Sequence, residues 1–278
     1  ENVDINRPDQ NQIATLGFNL KNKGLIEDVK VTGSVTGNND VAGIVNKIDE
    51  DGKIENVAFV GKINSVGNNS TVGGIAGSNY MGFVNRAYVD ATITAQNANA
   101  SMLVPFVTYM LNSWKSGTKA KVTNSVAKGV LDVKNTRNVG GIVAKTWPYG
   151  AVQDNVTYAK VIKGQEIFAS NDVNDEDGGP HIKDLFGVVG YSSAEDGTGK
   201  DTKSPKKLKH LTKEEADKRV EGYKITADTF VSEPYALNTL NNASSQADFV
   251  NIQDYNPAYK QAYKNIEKFQ PFYNKDYI

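Results

Sequence analysis

Five residues recur at one position of a repeated decapeptide: Asp28, Asn56, Arg86, Asn124 and Asp154, spaced 28, 30, 38 and 30 residues apart. A fold that brought them onto one line would align carboxylates with a basic residue. Glycan-cleaving enzymes use such a set, with one carboxyl group as acid and another as nucleophile or base. Asp28, Arg86 and Asp154 would then carry the chemistry. Asn56 and Asn124, however, are amides that cannot transfer a proton. A column of Asn and Asp serves equally to bond the backbone of turns or to stack as a side-chain ladder.

Other candidate chemistry is thinner. In NDVNDEDGG, residues 171–179, the oxygen-bearing Asp172, Asn174 and Glu176 alternate as calcium ligands do. An EF-hand loop would place Gly at 177 and Glu at 183, where the chain has Asp177 and Lys183, so a solvated acidic loop is expected. The two histidines, His181 and His210, lie in polar segments without a nucleophile elbow. Gly199-Lys200 is followed by Asp201 and so is no P-loop, and Gly73-Gly74 precede Ile75 rather than a helix. With no cysteine, thiolate sites and disulfides are excluded. Charge is balanced, 31 basic against 32 acidic residues, which argues against nucleic acid as a partner; the basic run Lys206 to His210 reads as solvated. Trp114, Trp147 and Tyr149 suit either protein contact or packing. Catalytic, cofactor-binding and metal-binding residues within the chain are expected to be none.

The elements that position the five residues are repeated too. The decapeptides are IEDVKVTGSV from Ile26, IENVAFVGKI from Ile54, VNRAYVDATI from Val84, VTNSVAKGVL from Val122 and VQDNVTYAKV from Val152. A second motif alternates with them: VAG at Val41, VGG at Val72 and VGG at Val139, with a looser LFGVVG at Leu185 and a glycine-free MLVPFV at Met102. Turns such as GNND, residues 37–40, separate the two. One such unit cannot bury its apolar residues alone, whereas stacked units give a continuous core. The expected fold is all-β, a right-handed parallel β-solenoid of about five coils of ~30 residues with a partly helical C-terminal extension.

The solenoid is expected over residues 1–191, with insertions near 98–118 and 164–183. A linker is expected over 192–211, then an irregular, helical region over 212–278 that caps or docks. Within that region Thr212 and Glu215 form a capping box opening a helix, and a second helix starts at Asn256-Pro257. The apolar runs are too short to span a bilayer. The chain begins without a signal peptide and reads as a piece of something longer.

The V-G-G-I-x-G-x-N core, Val72 to Asn79 and more loosely Val139 to Ala144, resembles the GLUG repeat of bacterial surface proteins. Together with a tail ending in KFQPFYNKDYI, it is similar to the N-terminal, non-catalytic region of streptococcal zinc metallopeptidases of the immunoglobulin A protease type. The resemblance implies an exported, cell-wall-associated Gram-positive protein whose zinc site is a HExxH helix in a separate catalytic domain. His181 precedes Ile182-Lys183 and His210 precedes Leu211-Thr212, so neither starts HExxH, and zinc is expected only in the parent's catalytic domain. The implied partners are that catalytic domain and host glycoprotein or immunoglobulin, with no nucleic acid and no membrane insertion. A surface adhesin or carbohydrate-binding solenoid is the alternative, and a polysaccharide-degrading β-helix enzyme a second one.

Overall fold

A computed structural model describes residues 2–107, 120–146, 150–164, 168–171, 190–192 and 209–226. The acidic loop 171–179 beyond Asn171, His181, Trp114, Trp147, Tyr149, Leu185 to Val189 and the expected helix at Asn256 lie outside the described residues. Within them the chain is a parallel β-solenoid of about five turns with one short helix. Two sheets form its walls, one of thirteen strands and one of six.

The long wall strands carry the decapeptides, and their register aligns every copy. Ile26 pairs with Ile54, Ile54 with Val84, Val84 with Val122 and Val122 with Val152, always in parallel. The second motif stacks likewise, through Ile13, Val41, Val72, Ala100 and Val139. Ala100, not Met102, therefore starts the glycine-free copy.

Sequence period sets the register because each coil can bury its apolar residues only by placing them on those of the next. Val41, Val72 and Ala100 are fully buried, as are Ile44, Ile75, Leu103 and Ile142. Phe59, Ile63, Ile93 and Leu131 fill the interior between the walls.

The paired glycines bring coils into close approach. A Cβ at Gly43 would lie 2.0 Å from the Gly74 carbonyl oxygen, and one at Gly74 would lie 2.1 Å from that of Met102. Neither distance admits a side chain, so this corner requires glycine on both coils. Ile75 is buried. Asn79, an amide next to Ser78 whose type suits an exposed turn, is fully buried. Its side chain accepts from Gly82 N (2.7 Å) and donates to the Gly82 and Lys121 carbonyls (3.0 and 3.1 Å), so the buried amide is fully engaged with the backbone of the corner.

The described parts of the expected insertions and linker belong to the walls. Residues 98–101 end the strand Phe83–Ser101, and Met102, Leu103 and Val104 are buried. Phe168–Asn171, inside the second expected insertion, pairs with Val143–Thr146 as the outer strand of the six-stranded sheet. Lys209–His210, within the expected linker, pairs with Gly190–Ser192.

Candidate functional site

The five aligned residues share one backbone conformation. Asp28, Asn56, Arg86, Asn124 and Asp154 have φ of 55°, 52°, 54°, 49° and 53°, the left-handed region. Each interrupts its wall strand: Glu27 pairs with Glu55 and Val29 with Val57, leaving Asp28 and Asn56 at the bend between. Asn and Asp tolerate this conformation better than other residues with a Cβ, which explains four members of the column. Arg86 does not fit that preference, and its side chain is held by an ion pair to Glu55 (2.5 Å).

The column is a real line, but its geometry does not suit two-carboxylate catalysis. Asp28 and Asp154 stand four coils apart, about 19 Å at ~4.8 Å per coil. The carboxyl pairs of glycosidases stand roughly 5–9.5 Å apart. Arg86 stands midway, about 10 Å from each on the same spacing.

The structure instead puts these side chains to work on the C-terminal segment, residues 211–226. Asn56 donates Nδ2–H to the Thr226 hydroxyl (2.6 Å) and to Asp28 Oδ1 (2.7 Å), while Thr226 N–H donates to Asn56 Oδ1 (2.8 Å). Arg86 reaches the Lys224 carbonyl (3.5 Å), and Arg219 pairs with Asp154 (3.3 Å). A cavity of about 580 Å³ lies between strip and segment, lined by Asn124, Asp154, Glu215, Lys218, Arg219 and Tyr223. Its acids and bases are mixed, and two of them already pair with each other.

Beside the polar strip lies an apolar one. After the left-handed bend the strands alternate, so Val57, Phe59, Ala87 and Val89 face the interior and Ala58, Tyr88, Val126 and Val156 face out. Ala58, Val126 and Val156 are nevertheless fully buried. Val126 and Val156 pack with Ala216 and Tyr223 in a separate apolar cluster that Tyr88, Tyr158, Leu211, Val220 and Ile225 border. The helix Lys213–Glu221 supplies Ala216 to this cluster and opens with the expected capping box, Glu215 N–H donating to Thr212 Oγ1 (3.2 Å) and Thr212 N–H to Glu215 Oε2 (2.9 Å). Nine residues of helix are marginal alone, so tertiary packing holds it.

Tyr158 ties helix to wall. Its hydroxyl donates to Asp217 Oδ1 (2.8 Å), and Lys128 sits over the Tyr88 and Tyr158 rings at 5.2 and 5.4 Å. Burial first, then the bond to Asp217 and its charge, raise the Tyr158 phenol well above its ordinary value. Hydrogen bonds from Lys213, and next from Tyr158, lower the Asp217 carboxyl below its ordinary 3.8.

Sequence reasoning identified the column and missed its occupant. The available signal was Ala58, Tyr88, Val126 and Val156, apolar at positions that strand alternation turns outward. Zinc fits poorly here: it prefers cysteine and histidine ligands, the chain has no cysteine, and the described residues contain no cluster of three His, Asp or Glu. Among the described residues no helix is long and apolar enough to cross a membrane.

No family model and no solved structure matches the chain. Curated relatives do. It is 50% identical over 281 residues to the zinc metalloprotease ZmpB of Streptococcus pneumoniae serotype 4 (strain ATCC BAA-334 / TIGR4), covering 100% of this chain and 14% of the relative. Zinc metalloprotease ZmpC of the same strain is 29% identical over 263 residues, 92% of this chain and 13% of its own length. The immunoglobulin A1 protease of Streptococcus sanguinis is 25% identical over 289 residues, 98% of this chain and 15% of its own length. The chain thus spans about one seventh of the length of these relatives. Along its whole length it is a homologue of a region found in streptococcal zinc metalloproteases and immunoglobulin A1 proteases.

Proposed function

We propose that this chain is a non-catalytic scaffold region of a longer, exported, cell-wall-associated zinc metallopeptidase that acts on host proteins such as immunoglobulin A. Its work is to space the catalytic domain from the cell wall and to present a surface to the protein substrate. The observation that carries this reading is whole-length similarity to a zinc metalloprotease in a chain whose histidines start no HExxH motif. The docked segment supports it, because Asn56, Arg86 and Asp154 of the polar column are engaged in holding residues 211–226. A solenoid is a suitable spacer: each coil adds about 4.8 Å of stiff, continuously bonded length.

Two observations test the proposal. The parent gene should encode HExxH followed by a distant Glu outside these 278 residues. The purified chain, incubated with zinc and immunoglobulin A, should show no cleavage above buffer. A parent without the motif would leave the adhesin reading, and zinc-dependent cleavage by the chain itself would refute a scaffold role.

A further inference from the structure

One edge of the solenoid is a line of asparagines. Asn11 and Asn39 lie two residues before the stacked Ile13 and Val41, Ser70 pairs with Ala98 so that Asn69 and Asn97 fall side by side, and Asn97 pairs with Asn135. One asparagine per coil thus stands over five coils, four steps of ~4.8 Å or about 19 Å. The turns that carry them read QNQ from Gln10, NND from Asn38, NNS from Asn68, QNAN from Gln96 and NTRN from Asn135. All five residues of the line are exposed or half-buried.

The two ends of these amides have separate tasks. Asn11 Oδ1 accepts the Asn39 N–H (3.2 Å) and Asn39 Oδ1 accepts the Asn69 N–H (3.3 Å), so each oxygen ties one turn to the next, while Asn69 Oδ1 accepts from Arg137. The nitrogens are left over: Nδ2 of Asn11, Asn39 and Asn69 bonds to nothing among the described residues. A Cβ at Gly67 would lie 2.0 Å from Asn39 Oδ1, so glycine on the next coil gives this amide its place. The backbone of the turns is itself paired, Asn38 N–H with the Gln10 carbonyl and Gly67 N–H with that of Asn38, both at 2.7 Å. A ligand would therefore meet side-chain donors and not an open sheet edge.

We propose that this line binds an extended, uncharged strand of N-acetylated sugars, the chemistry of a cell-wall glycan, laid along the solenoid. The inference rests on the reading of the chain as part of a cell-wall-associated protein and gives that association a surface. With its oxygens engaged, the line offers donors at a regular step, and acetamido carbonyls and hydroxyl oxygens answer with acceptors repeated from sugar to sugar. An anionic polymer would call for a run of cations. The five quoted turns hold one acid, Asp40, bonded to Thr71, and one base, Arg137, bonded to Asn69. Val66, 38% exposed in the turn that carries Asn69, adds an apolar contact of the kind that the C–H face of a sugar ring accepts. A branched, sialylated host glycan would match neither the straight line nor its neutrality.

Substitution separates the ligand from the ladder. Asn39→Asp combined with Asn69→Asp keeps both acceptor oxygens and the side-chain shape but removes the donors. The 278-residue chain, this double variant and Thr92→Asp, a control at an exposed position of the long wall, are titrated with the N-acetylglucosamine hexamer by calorimetry and by side-chain amide resonances. The unsubstituted chain and Thr92→Asp should bind equally and shift the Asn39 and Asn69 Nδ2 signals, whereas the double variant should melt within a few degrees of them and bind about tenfold or more weakly. Equal affinity in the double variant would overturn the proposal, as would no binding by the unsubstituted chain, or shifts in that chain confined to other residues, a reading that needs no variant. Binding a glucose hexamer as tightly, or preferring a sialylated host glycan, would overturn the choice of ligand. Failure here leaves the protease reading intact, and a parent lacking HExxH would sink that reading and leave this result standing.

Discussion

Asn56 and Thr226 bind each other reciprocally across 170 residues of sequence: the Asn56 amide donates to the Thr226 hydroxyl at 2.6 Å and accepts the Thr226 N–H at 2.8 Å. Asn56 holds a left-handed bend in the wall, and Thr226 belongs to the segment that covers the wall's outer face. One residue type at one repeat position thus shapes the coil and fastens its cover.

The two jobs separate by substitution. Asn56→Gly keeps the bend, since glycine accepts positive φ, and removes both bonds to Thr226. It should cost about 1–2 kcal/mol and accelerate hydrogen exchange in residues 211–226 while the coils stay protected. Asn56→Ala loses the same bonds and must also adopt a left-handed backbone, adding roughly 1 kcal/mol. Equal stability of the two variants in urea would contradict the backbone role.

Arg86 should be replaceable. Its ion pair with Glu55 is one-third exposed on each side, so its loss costs less than about 1 kcal/mol, and an Asn at 86 suits the left-handed backbone better. Arg86→Asn should therefore melt within a few degrees of the parent. A loss of several kcal/mol would show that the Glu55 contact matters more than its exposure indicates.

The cover should respond to pH at both extremes. The Asp217 carboxyl titrates lower in the folded chain, so its contribution is complete above its unfolded value and is lost as pH falls through the lowered one. The Tyr158 phenol titrates higher in the folded chain, so its contribution is complete below the unfolded value of 10.0 and is lost as pH rises through the raised one. Residues 211–226 should stay docked from about pH 5 to 9 and loosen outside that window. Tyr158→Phe should abolish the alkaline transition; exchange rates in this segment that rise identically in both proteins above pH 10 would exclude Tyr158 as the cause.

Gly74→Val tests the close approach of coils. A Cβ there meets the Met102 carbonyl oxygen at 2.1 Å and Val89 Cγ1 at 2.6 Å, a clash with backbone as well as side chain. A loss of roughly 3 kcal/mol is expected, at the upper end of ordinary overpacking. A melting temperature equal to the parent's would mean that the coils can separate here at little cost.

Much of this architecture was legible in the sequence because a solenoid repeats its local rules. Asp28, Asn56, Asn124 and Asp154 marked the left-handed bend by residue type, and Val41, Val72 and Val139 marked the tight corner by the glycines after them. Arg86 broke the residue-type rule, although the decapeptide around it placed it, and Ala100 was placed only by the register of its neighbours. The burial of Asn79 was not legible, because an amide in a turn-like context reads as outward, while the buried corner of a solenoid uses such a group for its backbone. A capping or docking C-terminal region was expected, but the place where residues 211–226 dock was hidden for a different reason: it joins a repeat to a segment outside the repeat, and periodicity carries no information about such a contact.

The most direct test of the scaffold reading is kinetic. The full-length parent and a form with residues 1–278 excised are compared on a short peptide substrate and on intact immunoglobulin A, both as zinc-loaded enzymes. The account predicts equal kcat/KM on the peptide and a loss of about tenfold or more on the intact protein, because remote contacts position a large substrate without touching the reacting atoms. Loss of peptide cleavage in the correctly folded, zinc-loaded excised form would contradict it, since the region would then be part of the catalytic machinery.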